Sequence, residues 1–475
     1  DPQPADLKAY SEKSDKDHDP LKDPAIDQSL LGQHYAVTLP YTVVKVTDGY
    51  VVKNTATQIV NNVKKKTNTV SNPLKTINPK KDVTVKVGGD SVDGRSVYLD
   101  STFLYQLDSS ILPADRAYQK VANWGITDQL DPAYDKATGQ WAVYAARDLY
   151  RGGEAIARKG ERIAGSGFDS SRLGGDMFTA NIDPSTGLVD IQATQAYLDL
   201  VSADDAHEQG WRAYVQVTRV KVTDRHENVF TEHVNGKDLT SNIVWTRTPD
   251  LTPGIKLEKW DRRSGWPKGD RDDSKDALDG AKDGDVIVFT ITNTSKDEDG
   301  HGAWFKASDL KLEDHTIVGD GEVKDLKYPD NWSTLVLKPG QSVEVTGTLT
   351  GFTKDRHTDR AKVTGTPLVE CPVVDKDPFG DASGKPSTGG EAGGGDGPRQ
   401  VTVGDRTLCE DTPVESNTDD WNGRRSLLGE TGSAILPLGV GALLMAGLGA
   451  AVVMVRRRKS AHDDKDAALM PRHAA

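Results

Sequence analysis

Cysteine is almost missing from this chain, with two in 475 residues. That excludes a dense disulfide scaffold and any four-thiolate zinc site, and leaves room for a single bridge. Positive charge is also in deficit, with 59 Lys and Arg against 72 Asp and Glu for a net charge of −13. Nucleic-acid binders gather basic residues on one face or stripe, so the acidic balance argues against that class. The ten His are dispersed, with no His-Glu-x-x-His pair for zinc hydrolysis, and no serine sits in a nucleophile elbow. No glycine-rich turn precedes a helix long enough to bind phosphate. Long apolar runs are absent, with one exception.

That exception is Ile435 to Val455, 21 residues without a charge. As a helix it would span about 31 Å, enough to cross a bilayer. Arg456, Arg457, Arg458 and Lys459 follow at once, and the positive-inside rule keeps them in the cytoplasm. Everything upstream is then outside. Just before the span stands Leu428-Gly429-Glu430-Thr431-Gly432. Pentapeptide, apolar span and basic tail in this order resemble the sorting signal of Gram-positive wall proteins. The resemblance implies a membrane transpeptidase, sortase, that cuts Thr431–Gly432 and joins Thr431 to peptidoglycan. Gly429 stands where that family usually has Pro, which leaves the sortase class open. No basic-plus-apolar export segment opens the chain at Asp1, and a mature form or C-terminal fragment is expected.

Residues 377–398 are rich in Gly and Pro, as in a solvated loop. Cys371 and Cys409 bracket this stretch, and outside the cell such an isolated pair is expected to form a disulfide that closes it. Between 30 and 370 the recurrent signal is short Val-, Thr-, Ile- and Tyr-rich runs that alternate apolar with polar, at 35–46, 82–87, 212–224, 285–293 and 341–352. Bounded by Gly, Asp, Asn and Pro, they predict half-buried antiparallel strands. Helical spacing is confined to 116–122 and 191–201. The fold class expected is all-β, with immunoglobulin-like sandwiches in series ahead of the C-terminal transmembrane helix. Pro-containing joints at 72–82 and 246–254 divide the series.

Asn-bearing segments around Asn54, Asn68 and Asn242 precede or end blocks, and Lys-bearing strands open them at 79–97 and 254–261. Residues 79–249 resemble the C-terminal domains of the antigen I/II adhesins. The resemblance runs through Pro79-Lys80-Lys81-Asp82, the turn Val92-Asp93-Gly94, the strand with Tyr105, Leu107 and Asp108, and the closing strand with Asn242, Val244 and Thr246. Residues 1–78 read as a disordered start and the last strands of a preceding copy. Residues 250–420 are similar to Cna-type or DUF11-type stalk modules, with Lys259 in an Ile-x-Leu-x-Lys-x-Asp strand. A linker and the sorting motif fill 421–434, the span 435–455, and the basic tail 456–475.

Such modules join a buried Lys amine to an Asn or Asp side chain under catalysis by a neighbouring acid. Burial disfavours the ammonium and keeps the acid protonated, while the fold supplies orientation. For the middle block the resemblance implies Lys81 as nucleophile, Asp108 as acid and Asn242 as acceptor. Lys80 rivals Lys81, because adjacent strand residues face opposite sides. For the last block Lys259 and Asp359 form the expected pair, with Asp285 as acid and water as leaving group.

The acidic run 270–279 lacks the Gly and terminal Glu of a twelve-residue calcium loop and reads as a solvated loop. No cofactor is expected, although calcium is possible. The function expected is the wall-proximal stalk of a sortase-anchored surface adhesin, not an enzyme. Its partners would be sortase, peptidoglycan, the membrane before sorting, and an unknown host ligand. A pilus subunit, or the anchor of a wall-bound enzyme, would share these features.

Overall fold

A computed structural model describes residues 37–426, apart from 40, 42, 61, 117–119 and 381–397. The sorting motif Leu428–Gly432, the apolar run Ile435–Val455 and the basic tail lie outside the described residues. Among the described residues no helix is long and apolar enough to cross a membrane.

The first sandwich is built from two five-stranded sheets. One runs Arg162–Gly165, Asp135–Ala145, Trp211–Arg219, Thr102–Asp108, Lys80–Thr84; the other runs Phe178–Ile182, Leu188–Ala193, Trp124–Gln129, Phe230–Val234, Lys237–Thr240. All pairings within them are antiparallel. Alternation decides which side chains meet: Phe103, Tyr105 and Leu107 from the first sheet pack with Trp124, Ile126 and Phe230 from the second. Deeper in the same core, Arg219 Nε lies 2.6 Å from Asp135 Oδ1, and Tyr105 donates its hydroxyl to Asp135 Oδ2 at 2.6 Å. Thr248 and Thr246 each accept a further guanidinium hydrogen, and His226 Nε2 lies 3.3 Å from Asp135 Oδ2, so the buried charge pair is well supplied with partners.

The second sandwich pairs a four-stranded sheet, ordered Ile255–Asp261, Val286–Asn293, Ser342–Thr350, Glu322–Lys327, with a second sheet. That second sheet contains Leu278–Asp279, Asp419–Arg424, Arg356–Gly365 and Lys311–Gly319. Leu257, Phe289, Val345, Val363 and Trp421 fill its core. A small sheet of Leu368–Val369, Arg406–Glu410 and Gln400–Val403 packs on Trp304. Cys371 and Cys409 are joined by a disulfide with Cα atoms 4.9 Å apart.

Between that disulfide and the undescribed stretch, residues 372–380 leave the second sandwich and cross the outer face of the first. Thr102 N donates to Val373 O at 2.8 Å, Val373 N to Ser101 Oγ at 3.0 Å, and Gln216 Nε2 to Asp375 O at 2.6 Å. Phe379, 2% exposed, then packs among Leu104, Ala142, Tyr144 and Tyr214. These outward residues would otherwise face water. The strap explains why Thr102 to Leu107 are buried on both faces although the sheet is antiparallel.

Three expectations need correction. The alternating run 35–46 forms no strand at its described positions, where Val37, Tyr41 and Val44 are exposed rather than packed against described strands. Strands there begin with Val51–Asn54, paired to Val70–Pro73. The helix expected over 191–201 is Gln195–Ala203, since Ile191 is held in the ladder of Leu188–Ala193. Residues 120–122 are not helical, and 117–119 lie outside the described residues.

Candidate functional site

Lys81 stands opposite Leu107 in the ladder between Lys80–Thr84 and Thr102–Asp108. Opposed residues share a face of the sheet, so Lys81 enters the core with Leu107 while Lys80 remains exposed. The Lys81 side chain is fully buried, its Nζ ion-paired to Asp128 Oδ2 and 4.5 Å from the centre of the Tyr105 ring. Asp128 comes from the facing sheet, on the same inward side of Trp124–Gln129 as Trp124 and Ile126. Asn228, 6% exposed, donates from Nδ2 to that Asp128 oxygen at 3.5 Å. Its own Oδ1 accepts the Val229 N–H at 2.6 Å. Amine, carboxyl and carboxamide therefore meet between the sheets.

Burial lowers the Lys81 pKa despite the attraction of Asp128, and the same burial raises that of Asp128 despite Lys81. Both shifts favour a neutral amine beside a neutral acid, the states that amide formation requires. The second carboxyl oxygen, Asp128 Oδ1, is buried with no hydrogen-bond partner.

Two residues expected at this site stand elsewhere. Asp108 opposes Lys80, so it lies on the outer face, where Arg212 Nη2 donates to its Oδ2 at 3.0 Å. A one-residue offset in a strand reverses the face, which removes Asp108 from the Lys81 amine. Asn242 does reach Lys81, but at the main chain: Lys81 N donates to Asn242 Oδ1 at 2.8 Å and Asn242 Nδ2 to Lys81 O at 2.9 Å. Its carboxamide substitutes for a strand partner. The same device recurs in the second sandwich, where Asn417 holds Leu257 N and O at 2.9 Å each.

Asp128 and Asn228 were missed. The available signal was an Asp at an inward position of an alternating strand, since the 124, 126, 128 series is apolar until Asp128.

In the second sandwich Lys259 is fully buried and reaches two carboxylates, Asp314 Oδ1 at 2.5 Å and Asp359 Oδ1 at 2.6 Å. His357 Nε2 lies 3.1 Å from Asp359 Oδ2. Burial, added to the charge of Asp359, raises the Asp314 pKa to about 6. For Asp359 burial acts upward too, but Lys259 and His357 outweigh it and the net shift is downward. Asp285, expected as the acid here, instead accepts Lys282 N at 2.9 Å in a turn and faces Arg263 at 3.3 Å. Asp314, not Asp285, is the further carboxylate at the Lys259 amine. Among the described residues, Asp270, Asp272 and Asp419 are grouped closely enough to hold a metal ion.

With this geometry in place, two family models match: "Cell surface antigen C-terminus" over residues 78–249 and "Cell surface antigen I/II C2 terminal domain" over residues 1–74. The chain is similar to cell-surface antigens of the antigen I/II type. The Lys81–Asp128–Asn228 cluster lies wholly within the first of these matched segments. The aggregation substance of Enterococcus faecalis is 35% identical over 224 residues, which are 46% of this chain and 16% of that protein. This chain thus spans a small part of that relative's length. The solved C-terminal domain of the Streptococcus pyogenes antigen I/II-family protein AspA is 26% identical, covering 42% of this chain and 55% of that one at a TM-score of 0.37. The C-terminal domain of Streptococcus agalactiae BspA is 22% identical, covering 42% and 59% at a TM-score of 0.37. The antigen matches imply a location at the surface of a Gram-positive bacterium.

Proposed function

We propose that this chain is the wall-proximal stalk of an antigen I/II-like adhesin, stiffened by an amide bond between Lys81 and Asn228 and anchored by sortase through Thr431. The observation that carries the reading is the buried Lys81–Asp128–Asn228 cluster, which sits between the two sheets with its pKa shifts in the reactive direction. The neutral Lys81 amine attacks the Asn228 side-chain carbonyl, polarised by the Val229 N–H. Asp128 takes the proton from Nζ and delivers one to Nδ2, so an N–C bond forms, the C–Nδ2 bond breaks, and ammonia leaves. Water is excluded by Tyr105 and Phe230, and the fold holds the groups together for a slow reaction. The second sandwich carries the analogous Lys259 with Asp314 and Asp359, where condensation would release water instead. An ionised Asp359 is a poor electrophile, so Asp314 is the carboxyl better suited to it. A ligand-binding region held away from the envelope would gain from such a rod, and sortase and peptidoglycan are its partners at the wall.

The intact mass of the full chain tests the bond. A deficit of one ammonia is expected, together with a cross-linked peptide pair containing Lys81 and Asn228. A full-mass chain, or a cross-link to Asn242, would overturn the assignment. An added deficit of one water would show that Lys259 has condensed as well. For anchoring, wall-lytic digestion should release a chain that ends at Thr431 and carries peptidoglycan fragments. Recovery of Met470 and Arg472 in that fraction would refute sorting at this bond.

A further inference from the structure

We propose that His357 selects the carboxyl to which Lys259 is joined, by holding Asp359 as a carboxylate and leaving Asp314 to condense. The inference rests on the condensation proposed for Lys259 and adds the residue that decides its partner. Lys259 extends from the four-stranded sheet to two aspartates of the facing sheet, with Asp314 Oδ1 at 2.5 Å and Asp359 Oδ1 at 2.6 Å. Distance does not separate them. Both occupy inward positions: Asp314 alternates with Leu312 and Thr316 along Lys311–Gly319, and Asp359 with His357 and Ala361 along Arg356–Gly365. A bond to either would tie the two sheets together, so the choice must come from charge state.

His357 is fully buried, with its ring near those of Phe352 and Trp421, at 5.7 and 5.9 Å between ring centres. Its Nδ1 lies 2.7 Å from the Asp320 carbonyl oxygen. A carbonyl can only accept, so Nδ1 carries a hydrogen. Nε2, 3.1 Å from Asp359 Oδ2, then carries a second hydrogen only in the imidazolium form. The proton between these two atoms belongs on the nitrogen, because the other Asp359 oxygen faces Lys259 and a cation on each side favours the anion. Burial pulls the His357 pKa down, but Asp359 outweighs it and the net shift is upward, while Asp359 shifts downward against its own burial. Lys259 is the other side-chain charge in reach of the ring, and it opposes the imidazolium without cancelling the pull of Asp359.

The consequence is chemical. A carboxylate resists attack by an amine because its carbon shares the negative charge, whereas a carboxylic acid offers a hydroxyl that can leave. Burial raises the Asp314 pKa to about 6, and the anionic Asp359 adds to the rise, so Asp314 is the better place for a proton. Once the Lys259 ammonium passes its proton to Asp314, a neutral amine stands beside a neutral acid. Lys259 Nζ attacks the Asp314 side-chain carbon, an N–C bond forms and the C–OH bond breaks. The hydroxyl leaves as water, with a proton that Asp359 carries to it from Nζ. Asp359 ends as it began, a carboxylate beside the His357 imidazolium. Without that imidazolium, Asp314 and Asp359 would compete for one cation and one proton, with Lys259 equally close to both.

The test is intact mass and cross-linked peptide mapping of the full chain and of its His357→Gln variant. Gln retains a donor for Asp359 but carries no positive charge. Expected are a water deficit in the wild type with Lys259 joined to Asp314, and in His357→Gln a ratio of Asp359-linked to Asp314-linked peptide higher by about tenfold or more. A role in packing alone would lower the yield without changing the partner. The assigned His357 ring of the wild type should also show two protonated nitrogens by NMR at pH 7, where an unshifted imidazole is mostly neutral. Lys259 joined to Asp359 in the wild type, an unchanged partner in His357→Gln, or a singly protonated His357 ring each overturns the proposal. Should the variant not fold, the wild-type partner and ring state still decide. The Lys81 bond is read in the same mass spectrum: an ammonia deficit without a water deficit overturns this inference and spares that bond, whereas a water deficit without an ammonia deficit does the reverse.

Discussion

Replacing Asp128 by Asn is expected to restore the full sequence mass of the chain and to lower its melting temperature sharply. Asn nearly preserves the shape and the contact with Lys81 but cannot supply a proton, so the amide should not form. A bond between Lys81 and Asn228 removes loop-closure entropy from the unfolded chain; by the logic used for disulfides, a loop somewhat longer than a hundred residues is worth about 5 kcal/mol. Asp128→Ala should be worse than Asp128→Asn, because it also leaves a buried amine unpaired, a change that costs about 3–5 kcal/mol in other proteins. Lys81→Met should likewise restore the mass while sparing that penalty. Asp108→Ala and Lys80→Ala should leave the ammonia deficit in place, since both residues lie on the outer face. Loss of the deficit in Asp108→Ala with its retention in Asp128→Asn would return the catalytic role to Asp108.

The contrast between Asp108 and Asp128 shows how far the sequence could be read. Alternation in 82–87, 212–224, 285–293 and 341–352 is local; the last two runs contain a whole strand, and the first two overlap the strands Lys80–Thr84 and Trp211–Arg219. The burial of Lys81 rather than Lys80 depends on register, which two adjacent lysines do not reveal, and it is settled by the opposition of Lys81 to Leu107. Asp108 ended an apolar strand and looked inward, but a strand covered on both faces loses the polar alternation that marks its sides. What covered it was the strap, about 270 residues later in sequence, whose end at 377–380 was read as part of a solvated loop. The cluster of Asp270, Asp272 and Asp419 was hidden in the same way. Its loop half was visible, whereas its buried half comes from a strand far along the chain. Non-local packing, not propensity, decided each of these cases.

Phe379→Ala is expected to release the strap and uncouple the two sandwiches without unfolding either. Phe379 fills an aromatic pocket in which Tyr144 and Tyr214 stand edge to face with ring centres 5.6 Å apart, and the Arg162 guanidinium lies 5.6 Å from the Phe379 ring. Truncating so buried a ring costs about 3–5 kcal/mol in protein cores. Here the loss falls on a short segment held otherwise by a few hydrogen bonds to Ser101, Thr102 and Gln216. Local opening then becomes cheaper than global unfolding. The disulfide at Cys371 fixes the near end of the strap to the second sandwich, so a released strap stays tethered. Hydrogen exchange should accelerate by at least tenfold at the amides of Val373 and Asp375 and at Thr102, which donates to Val373 O. The core strands Trp124–Gln129 and Val286–Asn293 should keep their protection, because neither sheet's inner face has changed. Small-angle scattering should show a wider spread of end-to-end lengths, since the strap no longer adds to the other links between the sandwiches, among them Tyr98 Oη to His301 Nδ1 at 3.2 Å and the Arg247–Glu298 ion pair. Unchanged exchange at Val373 and Asp375 would mean that the hydrogen bonds alone hold the strap. In that case the aromatic pocket would be a cover for the outer face of the sheet and not the clasp between the two sandwiches.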